Sequence, residues 1–275
     1  MARALVLGLG GLIRAPWQAG IIAGLRRAGT DLGAADVFVG TATGAIFAAL
    51  LAACGDPADA VPDIAAEDQR LRAAGVIPEG YQKVLAVLSD TSVPPDERRR
   101  RLGRMAVDTR TSTGSGDVAR LCGLASPDWP ERRLRIPTVD VATGARVVFE
   151  RGGDATLDQA VRASYAAPTL EPPVEIAGNR YMDGGLYSTT NADLAAGCDR
   201  VVVIAPLLEL AFVPTLEREL AALGPERVEV VAPDAATGEL FALTTFDPDL
   251  PNSTFEAGLR QAAEQAPALA GAWDG

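Results

Sequence analysis

Asp36-Val37-Phe38-Val39-Gly40-Thr41-Ala42-Thr43-Gly44-Ala45 decides how this chain is read. A short apolar run ends at Gly40, and an apolar stretch from Ala45 to Cys54 follows at once. That order predicts a buried strand, a sharp turn over Gly40–Gly44, and a buried helix. Paired glycines around one central residue are the frame of the nucleophile elbow G-x-S-x-G. There the strained turn lifts a serine above the sheet at a helix N-terminus. In this sequence the frame is intact and its centre is Ala42. Taken alone, small residues at a strand-to-helix turn also serve plain packing.

Upstream, Ala4-Leu5-Val6-Leu7 runs into Gly8-Leu9-Gly10-Gly11. This is a second buried strand entering a tight glycine loop, whose backbone N–H groups can face an oxyanion or a phosphate. A dinucleotide fingerprint would need a third glycine where Ile13 stands, so nucleotide binding is the weaker reading of the loop; a loop serving packing alone is another. Downstream, Tyr181-Met182-Asp183-Gly184-Gly185 places a carboxylate at a strand end beside two glycines. An Asp-Gly pair by itself is most often only a turn.

One absence joins the three pieces. The 275 residues include no histidine. That removes Ser-His-Asp triads, Cys-His dyads and most zinc or iron sites together. Lys83 is the only lysine, so acid–base chemistry here needs a carboxylate, with Asp183 the candidate. No metal and no organic cofactor is implied.

The remaining pattern alternates strands with helices. Pro16 suits a first helical turn, with a helix over Trp17 to Ala28. Gly55 to about Pro130 reads as a helical, insert-like segment, with a helix start at Pro94-Pro95-Asp96-Glu97. Strands are expected over Leu134–Val141 and Ala145–Glu150, and a helix over Leu157–Ala167. A hairpin of Val174–Ile176 and Arg180–Met182 turns at Ala177-Gly178-Asn179. Arg200–Ile204 and Val228–Val231 are further strands, each preceded by a helical segment. The sum is an α/β layered fold with a central, mostly parallel sheet flanked by helices. No linker or repeat divides it, so one domain over 1–275 is expected.

A net charge of −11 opposes nucleic-acid binding, which needs a basic face to displace phosphate counterions. Cys54, Cys122 and Cys198 are odd in number and widely spaced, which fits reduced thiols in a cytoplasmic protein. No apolar run reaches bilayer length and no signal peptide is read, so integral membrane association is not expected. Arg98-Arg99-Arg100-Arg101 reads mainly as a solvated helix face partly paired with Asp96 and Glu97, with binding of phosphate head groups or a phosphorylated substrate the alternative.

With these pieces in order, the chain resembles the bacterial branch of the patatin-like phospholipase family. The likeness rests on Ala4–Gly11, Val39–Ala45 and Asp183–Gly185. It extends through Thr138–Phe149, Ala163-Ser164-Tyr165-Ala166-Ala167-Pro168 and Asn191–Gly197. The resemblance implies a three-layer patatin-like fold and a Ser-Asp dyad acting on lipid or other acyl esters. It puts Ala42 at the nucleophile position, Asp183 at the base, and Gly10, Gly11 and Thr43 in the oxyanion and substrate-binding region. It also puts Trp17 and Tyr165 near the elbow, where they line an acyl pocket or simply pack.

Two departures stand out. Alanine has no hydroxyl, so no acyl-enzyme can form at position 42. Leu9 also interrupts the glycine run that the family prefers. Either a serine-to-alanine replacement was introduced into a parent reading Gly-Thr-Ser-Thr-Gly, or the serine was lost naturally. The second possibility leads to a pseudoenzyme that binds an acyl ligand or a partner, or one turned to non-hydrolytic chemistry. Phe241–Phe246 is expected to cover the site or an interface of a homo-oligomer.

Overall fold

The computed structural model describes residues 1–73, 77–108, 128–208, 216–224, 227–242, 247 and 249–273. Its centre is an eight-stranded sheet. The strands are β1 (Arg3–Leu7), β2 (Val37–Gly40), β3 (Arg133–Asp140), β4 (Arg146–Phe149), β5 (Val174–Ile176), β6 (Asn179–Asp183), β7 (Arg200–Ile204) and β8 (Arg227–Val231). They run in the order β5-β6-β3-β2-β1-β7-β8, with β4 also paired to β3. The β3-β2-β1-β7-β8 portion is parallel, and β4, β5 and β6 add antiparallel pairs.

Parallel strands joined by helical crossovers are covered on both faces, so they read as unbroken apolar runs. Alternate residues of β1, β2 and β7 divide between two cores. Leu5, Leu7, Phe38, Val202 and Ile204 join one apolar cluster. That cluster takes in α1 (Gly11–Arg27), α2 (Thr43–Ala52), α6 (Leu157–Tyr165) and α9 (Leu250–Trp273). Ala4, Val6, Val37, Val39, Val201 and Val203 pack oppositely, with Leu223 of α7 (Leu216–Leu223) and the 3-10 turn Ala192–Ala195. A third cluster sets Val139 and Met182 against α4 (Ile77–Leu88) and α5 (Pro95–Val107). The result is the expected three-layer α/β arrangement.

Boundaries differ where helix physics overrides local pattern. The first helix begins at Gly11 rather than at Trp17, so Pro16 lies inside it. The glycine loop is therefore only Gly8–Gly10. The elbow helix begins at Thr43, immediately after Ala42. Only the short 3-10 turn at Ala192–Ala195 stands where a helix before β7 was expected. The insert-like segment is helical over Val61–Ala73, Ile77–Leu88 and Pro95–Val107, while residues 109–127, Cys122 among them, lie outside the described residues.

The arginine run is not a solvated face throughout. Arg98 is buried and donates to the Leu88 carbonyl. Arg99 donates to the Gly144 carbonyl and stacks on Tyr187. Arg100 pairs with Asp96 and Glu97, and Arg101 with Asp90. Among the described residues, no helix is long and apolar enough to cross a membrane.

Candidate active site

β2 delivers the chain to the elbow. At its end Gly40 packs so closely that a Cβ would come 2.6 Å from Ala45 Cα. Gly44 is tighter still, since its Cβ would sit 2.2 Å from the Leu7 carbonyl oxygen. Only glycine fits either position, and the two together bring the N-terminus of α2 down onto the end of β1. Between them, Ala42 has φ 55° and ψ −123°. That backbone is costly for a residue with a Cβ, roughly 1–3 kcal/mol, and persists only where the surroundings hold it.

The surroundings hold it by hydrogen bonds from three directions. The Ala42 N–H donates to Ser164 Oγ at 3.0 Å, and that hydroxyl donates to the Pro137 carbonyl at 2.8 Å. The Thr41 N–H donates to the Leu7 carbonyl at 3.0 Å. Thr41 Oγ1 donates to the Thr190 carbonyl and accepts from Asn191 Nδ2. Asn191 is itself fixed by Arg146, which also makes a paired contact with Asp193. Behind this segment, buried Glu219 accepts from Thr190 Oγ1 and the Ala192 N–H, and burial pushes its carboxyl up.

Asp183 ends β6, in register with Thr138 of β3. Its N–H donates to the Ala166 carbonyl at 3.1 Å, just beyond α6. Its Oδ1 accepts from the Gly185 N–H at 2.7 Å. Among the described residues, no cation lowers the pKa of its side chain. Burial pushes the carboxyl from 3.8 to about 7, and the Gly185 hydrogen bond opposes this only in part. Gly184 lies on the Pro137 carbonyl, 2.2 Å from where its Cβ would be. That same carbonyl accepts from Ser164, so the Asp183 loop and the elbow lean on one shared atom.

The glycine loop completes the cluster. The Leu9 N–H donates to the Thr189 carbonyl. The Leu9 side chain lies against Gly185: its Cδ2 is 2.9 Å from the place of a Gly185 Cβ, and Asp183 Oδ1 is 3.1 Å from that same point. The residue that breaks the glycine run therefore packs on Gly185, whose N–H holds the carboxylate. The Gly10 N–H donates to Thr43 Oγ1 at 3.2 Å. Gly11 opens α1 with φ 61°, and among the described residues nothing outside its chain neighbours and its own helix backbone lies within 4 Å of where its side chain would be. A ligand can approach the backbone closely there.

Of the residues singled out in the sequence, Gly10 touches Thr43 directly. Ala42 is linked to Asp183 only by way of Ser164, Pro137 and Gly184, and Leu9 packs on Gly185. Sequence reasoning assigned no role to Ser164, Asn191 or Glu219. The stretches Ala163–Pro168 and Asn191–Gly197 contain two of them, but nothing local marks a partner more than a hundred residues away. Trp17 is fully buried, donates to Gln261 Oε1 of α9 and meets Phe241 of α8 (Ala235–Phe241) edge-on, which is a packing role between α1, α8 and α9. Tyr165 closes α6 and is partly buried against the same core. Residues 243–246 lie outside the described residues.

A family model described as patatin-like phospholipase matches residues 5–196. Among solved structures, the chain is similar to VipD from Legionella pneumophila, with a TM-score of 0.50 and 12% identity, covering 97% of this chain and 66% of that one. It is also similar to the type III effector protein ExoU, with a TM-score of 0.44 and 16% identity, over 97% of this chain and 53% of that one. The chain thus spans just under two thirds of the first and about half of the second. No curated protein matches.

Proposed function

Because the chain belongs to the patatin-like phospholipase family, we propose that its site is that of a patatin-type acyl hydrolase built for lipid or other acyl esters. Ala42 occupies the nucleophile position, so the chain as it stands binds an acyl ester without turning it over. With serine at 42, Oγ would attack the ester carbonyl carbon while Asp183 takes the hydroxyl proton. Negative charge developing on the carbonyl oxygen would be met by backbone N–H groups where the glycine loop enters α1 and at Thr43. Collapse would release the alcohol with the proton from Asp183, and water would then free the acyl group by the same steps.

The observation that supports this most is the Ala42 backbone. A non-glycine residue at φ 55°, ψ −123°, between strand and helix, is the conformation that lifts a nucleophile clear of its neighbours. A buried carboxyl with a pKa of about 7 also suits a general base working near neutrality. We read residues 1–275 as one such domain, working in the cytoplasm. Intact-mass analysis with an organophosphonate acyl mimic tests the site. The Ala42→Ser chain should gain one adduct, lost again in Ala42→Ser with Asp183→Asn; no adduct in a folded Ala42→Ser chain overturns the reading.

A second reading, ligand binding without chemistry, is favoured by Leu9. Its side chain, where the family prefers glycine, packs on Gly185 next to the Asp183 loop, as in a site kept for binding alone. Unaltered affinity for an acyl ligand, with no gain of turnover on restoring serine, would select it.

A further inference from the structure

The oxyanion loop and the elbow are joined by one side-chain hydrogen bond, from the Gly10 N–H to Thr43 Oγ1. Gly10 is the N-cap of α1, with φ −117° and ψ −28°, and Thr43 is the first residue of α2. The bond therefore staples together two helix N-termini. The contact is close on every side: a Cβ on Gly10 would lie 3.3 Å from both Thr43 Oγ1 and the Ala15 amide nitrogen. Both residues are buried, Thr43 being 6% exposed. A hydroxyl suits this place because it accepts the Gly10 proton while sitting directly after the elbow apex.

The bond also divides the loop amides by role. Gly10 gives its N–H to the protein, so that amide is not pointed at a ligand. The next residue, Gly11, starts a helix, and the first N–H groups of a helix have no partner within it. The open space at Gly11 leaves its backbone approachable. The Thr43 N–H opens α2 in the same way.

Building on the acyl hydrolase reading above, we propose that Thr43 is a positioning residue of this site. Its hydroxyl holds Gly10 in place, and so sets the Gly11 and Thr43 amides, rather than the Gly10 amide, as the donors to the acyl carbonyl oxygen. Preorganised donors act only when held within a fraction of an ångström of the developing charge. Losing the staple therefore affects the chemical step more than ground-state binding.

Two measurements test this. The first needs no activity: amide hydrogen exchange at Gly10, by NMR on the chain as it exists, beside Thr43→Val and Thr43→Ser. Thr43→Val keeps the shape and removes the acceptor; Thr43→Ser keeps the acceptor. Gly10 exchange should quicken about tenfold or more in Thr43→Val and return close to the parent rate in Thr43→Ser. Equal protection in all three chains overturns the proposal. The second uses the Ala42→Ser chain on p-nitrophenyl esters. There Thr43→Val should lower kcat by about 10- to 100-fold with KM little changed, and Thr43→Ser should recover most of the loss. A fall in Thr43→Ser as deep as in Thr43→Val, or a loss confined to KM, also overturns it. Should the Ala42→Ser chain prove inert, the hydrolase reading fails, and the exchange measurement still decides whether Thr43 holds the loop.

Discussion

The Ala42 N–H and the Ser164 hydroxyl are linked by a 3.0 Å hydrogen bond across 122 residues of sequence. Ser164 is fully buried and passes its own proton to the Pro137 carbonyl. Removing the hydroxyl leaves a buried N–H and a buried C=O each short of a partner. Ser164→Ala should therefore destabilise the fold by about 1–3 kcal/mol, read as a lowered urea midpoint with unchanged slope. A neutral result would mean that the elbow does not depend on this support.

The strain at Ala42 is open to a substitution that usually weakens proteins. Glycine adopts φ 55°, ψ −123° freely, so Ala42→Gly relieves a cost of roughly 1–3 kcal/mol. It gives back roughly 0.4–1 kcal/mol through the freer unfolded chain. The net expectation is a gain of about 1 kcal/mol, measured as a higher Tm. Clear destabilisation would show that the turn is unstrained.

The glycines of the frame behave oppositely. Gly44→Ala would drive a methyl to 2.2 Å from the Leu7 carbonyl, where backbone has no room to yield. A loss of about 1–3 kcal/mol or more is expected, with reduced soluble yield. Wild-type stability in that variant would contradict the close approach of α2 to β1.

Asp183 gives the site a definite pH dependence. Its folded pKa, about 7, lies above the ordinary 3.8, so between these values the folded state holds the proton more tightly than the unfolded chain. Its contribution to stability is therefore greatest below pH 4 and declines as pH rises towards 7. Asp183→Asn should flatten that part of a Tm-against-pH curve. In the Ala42→Ser chain, turnover should rise with pH through about 7 as the base ionises. Leu9 packs on Gly185, which donates to the carboxylate, so Leu9→Gly should open that packing and move the rise to lower pH; an unmoved profile would clear Leu9 of any part in the burial of Asp183.

The strands and the elbow frame were readable because each rests on local pattern. Val37–Gly40 and Arg3–Leu7 are apolar runs stopped by glycine, and the hairpin turns at Ala177-Gly178, where both residues have positive φ although only the glycine favours it. The start of α1 departs from the local pattern: Pro16 suits a first turn, yet the helix begins at Gly11 and packs along α9. There Gly20 would place a Cβ 2.2 Å from the Phe255 carbonyl oxygen. The roles of Ser164, Asn191 and Glu219 were not legible at all. Each holds the elbow region through a partner brought near only by the sheet order, and such pairings leave no local signature.

Turnover of p-nitrophenyl esters of short and medium chain, by this chain and by its Ala42→Ser variant, tests the hydrolase reading most directly. Activity that appears only with serine at 42, and disappears again with Asp183→Asn, is the expected result. A folded Ala42→Ser chain that stays inert on these esters and on phospholipid vesicles would contradict it.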